Sequence, residues 1–473
     1  MNNCRNIFYM PEPERKGMPH GENCGDLMAF YWKGKYYLFY LYKYCIYVTL
    51  TDDFVHYSEP SIVLQSGSPE EQDWHIGTGS VSQKDGVFYF YYTGFNEGNR
   101  GKTGRNEQVL MRATSTDLVH WEKDSRFRLF PYENEYGGLH WRDPHVFWND
   151  DLGKYCMAIT ATEKDGYAHR SGCSVIMTSD NIVDWEHYKK IYAPRMFETH
   201  ECHDIFKIGD WWYMIFSNYT RWWETRYRMA RSMEGPWITP EKDDMFDSRG
   251  LYAAKTVSDD NKRFLVGWQA TRVNCEDHAK YQWGGSVLVY ELIQRKDGTL
   301  AVKMVSEIED SFKKTAALIP KMRQGTWEIG KEICGIVPEG FGWLELGAMP
   351  ETCLVKTTVK WDENTSACGI MLHTCGENLE KWCQLRLEVK HNKLVFDRSN
   401  RFELDQSFVE ERPIELNSIN QAEIKIVTSG NIIVAYVNDI ALAVRAYDFE
   451  PGDVGIFVEN GTAKFEDSVI MVQ

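Results

Sequence analysis

Three acidic residues in this chain stand at the heads of apolar, aromatic-rich runs. Asp26 opens Asp26-Leu27-Met28-Ala29-Phe30. Asp143 lies in His140-Trp141-Arg142-Asp143-Pro144-His145-Val146-Phe147. Glu201 opens Glu201-Cys202-His203-Asp204-Ile205-Phe206. Brought into one pocket, such groups suit cleavage of a glycosidic bond. One ionised carboxylate attacks, and one protonated carboxylic acid delivers a proton to the leaving oxygen. Their surroundings must push the two ionisations apart. A third carboxylate can hold sugar hydroxyls and stabilise positive charge on the ring. Asp is short and rigid, which suits a nucleophile or a clamp. Glu reaches one methylene further, which suits proton delivery. Arg142 keeps the adjacent Asp143 ionised and can itself bind a hydroxyl. His200 and His203 flank Glu201 without the H-E-x-x-H spacing, so no metal site is expected there.

A lone Asp at a strand start is more often a turn cap than a catalyst, so the case rests on recurrence. One phrase is a Ser or Thr, an acidic residue, then an aromatic: Thr51-Asp52-Asp53-Phe54-Val55-His56-Tyr57, Ser115-Thr116-Asp117-Leu118-Val119-His120-Trp121, Ser179-Asp180-Asn181-Ile182-Val183-Asp184-Trp185, and a shortened Ser232-Met233-Glu234-Gly235-Pro236-Trp237. A second phrase is a turn followed by an aromatic β-run, starting at Gly34, Gly86, Gly153, Gly209 and Asn261. Tyr, Phe and Val dominate these runs, with little helical periodicity. Five such units predict five sheets of short antiparallel strands arranged radially, a β-propeller. The segments carrying Asp26, Asp143 and Glu201 are then the innermost strands of blades one, three and four. Gly77-Thr78-Gly79-Ser80 and Tyr252-Ala253-Ala254-Lys255 are their counterparts in blades two and five.

The propeller is expected to occupy residues 1–305 and a connector residues 306–320. Beyond that the pattern changes to strict alternation, as in Cys353–Trp361 and Ala422–Val427. Residues 321–473 therefore predict a β-sandwich. The fold class is all-β: a five-bladed propeller followed by a C-terminal sandwich.

At 473 residues the chain is too long for one ordinary core. Its net charge of -16 argues against a nucleic-acid partner, since no basic run offsets it. No apolar stretch approaches the roughly 20 residues needed to span a bilayer. No apolar signal segment is read near Met1. The 12 cysteines are scattered and read as reduced, small hydrophobes, which points to a cytoplasmic setting. The sequence does not indicate an oligomeric state.

Trp141-Arg142-Asp143-Pro144, Glu201-Cys202 and Tyr252-Ala253-Ala254-Lys255-Thr256, together with Gly267-Trp268, resemble motifs of glycoside hydrolase family 32, the invertase, levanase and inulinase family. The resemblance covers roughly residues 15 to 295, and the C-terminal segments are similar to the family's second module. It implies a retaining mechanism on β-fructofuranosides, probed at a small sugar or oligosaccharide substrate, with no cofactor and no metal. It assigns Asp26 as nucleophile, Asp143 as transition-state stabiliser and Glu201 as acid/base. It also implies substrate contacts from Arg142, Thr78, Tyr252 and Trp268. Blade one departs from the family's usual Trp-Met-Asn-Asp-Pro-Asn-Gly pattern. Here Asn23-Cys24-Gly25-Asp26-Leu27-Met28-Ala29 keeps the Asp, and Gly25 stands where an Asn commonly precedes it. Such losses fall on the substrate pocket. From the acids alone, an inverting glycosidase on arabinosides or xylosides and a non-catalytic sugar-binding propeller remain alternatives.

Overall fold

The computed structural model describes residues 4–19, 22–102, 105–132, 134–376, 379–398, 409–449 and 451–473. Five antiparallel sheets follow one another along the chain, of four, four, four, three and four strands among the described residues. Their inner strands are Gly25–Trp32, His75–Lys84, Tyr136–Asn149, Glu201–Ile208 and Leu251–Ser258. Each packs against the next, and the fifth against the first, which closes the ring. This is the five-bladed propeller that the repeats predict.

Both repeated phrases do local work. Lys33-Gly34 and Asp85-Gly86 have positive φ at both positions, the two-residue turn whose twist matches the flanking strands. The runs after them form each blade's second strand, among them Lys35–Tyr42 and Val87–Phe95. The Ser/Thr phrase folds into a repeated turn. Asp53 Oδ1 accepts from the backbone N–H groups of Val55 and His56, at 2.9 and 2.8 Å. Asp117 and Asn181 do the same for their own following residues. The residue between, Phe54, Leu118 or Ile182, is left-handed and buried.

The inner strands share one irregularity, and it shapes the site. In blade one Gly25 pairs with Leu41 and Met28 with Phe39, so two residues of the inner strand oppose one of its neighbour. The same extra residue follows Arg142, Glu201 and Tyr252, and blade two inserts Thr78 between paired Gly77 and Gly79. These are β-bulges. In four blades the first bulged residue is left-handed: Asp26, Asp143, Cys202 and Ala253, with φ of 49°, 56°, 53° and 49°. Such conformations cost on the order of 1–3 kcal/mol each and persist where surrounding structure holds them.

Behind the propeller a short helix, Ser306–Asp310, and a strand, Lys314–Thr315, lead into the C-terminal sheet. The last strand, Asp453–Val472, pairs with Lys314–Thr315, Ile333–Ala348, Thr352–Trp361 and Ala367–Cys375, so it serves both faces of the sandwich. The apolar interior between those faces includes Leu344, Ile370, Leu385, Ile426 and Ile456. The two parts share a seam. Arg445 of the sandwich enters blade five and donates to the carbonyls of Ala270 and Gln269, at 2.9 and 3.1 Å, while pairing with Glu14 at 3.1 Å. No described helix is long and apolar enough to cross a membrane.

Candidate active site

A regular strand sends successive side chains to opposite faces. The bulges suspend that rule at the hub, so consecutive residues line one cavity: Gly77 with Thr78, Arg142 with Asp143, Glu201 with Cys202. The cavity has a volume of about 410 Å³. The opposite ends of the inner strands line a second cavity, which includes Tyr31, Phe147 and Phe206. Earlier residues of each strand therefore lie nearer the acid-lined mouth.

This sets two layers. Arg142, Glu201 and Tyr252 occupy the position before the bulge, nearer the mouth. Asp26 and Asp143 occupy the first bulged position, one step deeper. Glu201 is thus not the register equivalent of the two aspartates, as simple repeat spacing suggests; Cys202 is.

Each acid is held by neighbours from other blades. Asp26 Oδ2 accepts from the Thr78 hydroxyl at 2.6 Å, and Oδ1 from the Trp268 indole N–H at 3.3 Å. Burial pushes the Asp26 carboxyl up to about 7, against the Thr78 hydrogen bond and with the charges of Asp143 and Glu201 adding to the rise. Asp143 is 3% exposed. Its Oδ2 accepts from the Cys202 backbone N–H at 3.1 Å and the Thr160 hydroxyl at 3.2 Å, and Arg142 Nε lies 3.5 Å away. Burial pushes its carboxyl above the usual carboxylate range, and the Arg142 charge opposes that rise. Glu201 Oε1 receives Arg142 Nη2 at 2.6 Å, and Oε2 receives the Tyr252 hydroxyl. Burial holds the Tyr252 phenol far above its ordinary range, so it remains a donor. Arg142 is braced in turn by Gln108 Oε1 at 3.3 Å and by His140 Nδ1 at 2.5 Å. Burial and the adjacent guanidinium bring His140 down to about 3, which leaves it neutral and able to accept.

The bulges release backbone N–H groups from the strand ladder, and these find partners across blades. Asp143 N donates to Thr93 Oγ1 of blade two at 2.9 Å. Cys202 N donates to Asp143 of blade three, and Ala253 N to Ser217 Oγ of blade four at 2.9 Å. The bond that holds the Asp143 carboxylate thus also ties blade three to blade four.

Six of the seven residues singled out in the sequence line the cavity: Asp26, Thr78, Arg142, Asp143, Glu201 and Tyr252. Trp268 does not. It is fully buried behind the wall, where its indole positions Asp26 and packs against Trp223, Tyr252 and Trp283. Trp223, Trp283 and Tyr219 also line the cavity. They come from a loop and from blade five's third strand, outside the inner-strand motifs. Trp283 settles what replaces the side chain lost at Gly25: a Cβ on Gly25 would lie 2.6 Å from Trp283 Cζ2. A larger groove, of about 590 Å³, lies between blades four and five and the C-terminal sheet. It holds none of the three acids, and its Asp243 and Asp439 are paired with Arg412 and Arg295.

The family model for the glycosyl hydrolases family 32 N-terminal domain matches residues 27–303, which is the propeller from just after Asp26 to the last blade. The chain belongs to glycosyl hydrolase family 32. Among family 32 proteins it is similar to a raffinose invertase of Escherichia coli, 25% identical over 291 residues, which is 58% of each chain. The matched stretch is thus under two thirds of that relative's length. The fold extends across the whole chain in solved structures. A sucrose-6-phosphate hydrolase of Lactobacillus gasseri has a TM-score of 0.73 at 16% identity, over 96% of this chain and 92% of its own. An exo-inulinase of Aspergillus awamori has a TM-score of 0.73 at 16% identity, over 99% of both chains.

Proposed function

We propose that this protein is a retaining β-fructofuranosidase that releases terminal fructose from sucrose or short fructo-oligosaccharides. The observation that carries the reading is the pairing of Asp26 and Glu201 in one cavity, each held in place by different partners. Asp26 is fixed by neutral donors, Thr78 and Trp268, and lies in the deeper layer. Glu201 lies one layer nearer the mouth, where a leaving group departs.

In this reading Asp26 attacks the anomeric carbon of the fructosyl unit as its bond to the leaving oxygen breaks. Protonated Glu201 gives that oxygen its proton. The products of this step are a fructosyl ester on Asp26 and the released sugar alcohol. Glu201, now ionised, takes a proton from water. The water oxygen attacks the same carbon, which frees fructose and restores both carboxyls. Asp143 and Arg142 hold ring hydroxyls and stabilise positive charge at the transition state. Trp223 and Trp283 offer aromatic faces to the sugar. Exo attack belongs to the same reading; among the inner strands Gly79 N donates to Met28 Sδ at 3.1 Å and Lys255 Nζ to the Gly79 carbonyl at 2.9 Å. A cytoplasmic setting belongs to the same proposal and is supported by eleven described cysteines, all with free thiols. Family membership favours neither the pentosidase nor the binding-only alternative.

The test is a product assay on sucrose, kestose, inulin and levan, with Asp26→Ala and Glu201→Gln as controls. Wild-type rates in either variant end the assignment. Early proton NMR of the product anomer checks retention; first release of the opposite anomer would replace the ester intermediate with direct attack by water.

A further inference from the structure

Behind Asp143 runs a chain of polar side chains that the cleavage chemistry leaves unused. Thr160 and Ser174 are cross-strand partners in blade three. His200 and His203 come from the segment of blade four that carries Glu201. All four are fully buried. Ser174 Oγ lies 2.6 Å from His203 Nε2 and 3.1 Å from His200 Nδ1. Thr160 Oγ1 lies 3.4 Å from His203 Nδ1, 2.6 Å from the His200 carbonyl and 3.2 Å from Asp143 Oδ2. Burial keeps both imidazoles neutral, bringing His200 down to about 3 and His203 well below its ordinary range. Each ring therefore carries one N–H, and each hydroxyl has one proton to give.

Those limits give the chain a direction. His200 Nε2 has no hydrogen-bond partner among the described residues, and its ring packs against Tyr192, Phe197 and Phe216. A buried N–H without an acceptor is costly, so the His200 proton belongs on Nδ1, where Ser174 accepts it. Ser174 then donates to its nearer partner, His203 Nε2. The His203 proton is left on Nδ1, directed at Thr160. Thr160 accepts it and keeps its own proton for Asp143 and the His200 carbonyl. In the opposite tautomer His203 Nδ1 would compete with both for that proton. We propose that His203 is a positioning residue for Asp143. Acting through Thr160, it aims one hydroxyl at the Asp143 carboxylate and at the carbonyl that precedes Glu201. This rests on the fructosidase reading for its effect on rate. The two fail separately, because the tautomer can be read without turnover.

Nitrogen NMR of the full chain with isotope-labelled histidine shows which ring nitrogen carries the proton, and loss of a signal in His203→Asn assigns His203. The Nδ1–H form is expected. The Nε2–H form overturns the proposal, whether or not the chain cleaves a fructoside. The Nδ1–H form in a chain that cleaves none supports the aiming of Thr160 while the fructosidase reading falls. With a short fructoside, His203→Leu should lower kcat about tenfold, the kinetic equivalent of one hydrogen bond to a charged group. His203→Asn, whose amide can place an N–H near Nδ1, should keep most of the rate. Thr160→Val combined with His203→Leu should lose no more than Thr160→Val alone, since one residue acts through the other. Equal losses in the Leu and Asn variants, or losses that multiply in the double variant, would mean a merely structural role and overturn the proposal. If His203→Leu does not fold, Ser174→Ala replaces it, since it removes the donor to Nε2 and should show the same loss and the same dependence on Thr160.

Discussion

Arg142 Nη2 lies 2.6 Å from Glu201 Oε1, while Nε of the same guanidinium lies 3.5 Å from Asp143. One side chain thus bridges the proposed proton donor and the proposed charge stabiliser across the seam between blades three and four. A planar fork can serve both carboxylates at once, whereas a lysine ammonium is a single point charge. Arg142→Lys should therefore lower kcat about 10²-fold, the scale lost with one positioned electrostatic donor. Separate kcat and KM measurements check this. A change confined to KM would limit Arg142 to ground-state binding.

The raised Asp26 carboxyl makes two linked predictions about pH. In its proposed role as nucleophile Asp26 acts in the ionised form, so kcat/KM should fall about tenfold per unit below the limb it sets. Burial places that limb near pH 7. Stability has the opposite sense. The folded value, about 7, lies above the ordinary 3.8, so folding binds a proton over that interval. The resulting destabilisation is absent below the lower value, grows as pH rises, and is complete above the upper one. Asp26→Asn removes it. The variant should match wild type near pH 4 and exceed it by about 1–3 kcal/mol at pH 8, in urea unfolding at the two pH values.

Gly25 and Trp283 are complementary in shape. A methyl group at position 25 would enter the Trp283 ring. The ring cannot easily retreat, since Asn23 Nδ2 donates to the Trp283 carbonyl at 3.1 Å and Gly285 N to the Cys24 carbonyl at 2.7 Å. Gly25→Ala should cost about 1–3 kcal/mol by overpacking. Adding Trp283→Leu should recover part of that loss while raising KM. Equal destabilisation in the single and double variants, by denaturant titration, would contradict the pairing.

Arg445 is the clearest strut between the propeller and the sandwich. It is 3% exposed, and besides Glu14 and the two blade-five carbonyls it reaches Ser286 Oγ at 3.0 Å and Asn431 Oδ1 at 2.9 Å. Replacing it leaves Glu14 and several carbonyls without their donor. Arg445→Met should destabilise the chain by about 3–5 kcal/mol, the range for breaking a buried ion pair. Calorimetry of the full chain would detect it, and an unchanged Tm would remove Arg445 from this role.

The blade count and the acid-bearing strands were legible because their signals are local. Turn residues such as Lys33-Gly34 and the capping Asp53, Asp117 and Asn181 act within a few positions of where they stand. The layering of the site was not legible. It depends on left-handed backbone at Asp26, Asp143, Cys202 and Ala253, which brings neighbouring residues into one cavity against strand alternation. Repeat spacing therefore aligned Glu201 with the aspartates when its register partners are Arg142 and Tyr252. Trp268 read as a sugar contact because its type fits one, but whether an indole faces a cavity or a neighbour is decided by packing. Trp223 and Trp283 escaped notice because they arrive from elements that carry no acid.

The extra residue in every inner strand also bears on how such a hub can change. Blades two, three and four each present two adjacent residues to the cavity, so exchanging one residue alters chemistry at a chosen depth without moving the scaffold. Gly77 is one such address left blank in this protein. The same device makes chain length unforgiving: deleting one residue beside Asp143 would restore ordinary alternation and turn either the guanidinium or the carboxylate away from the sugar.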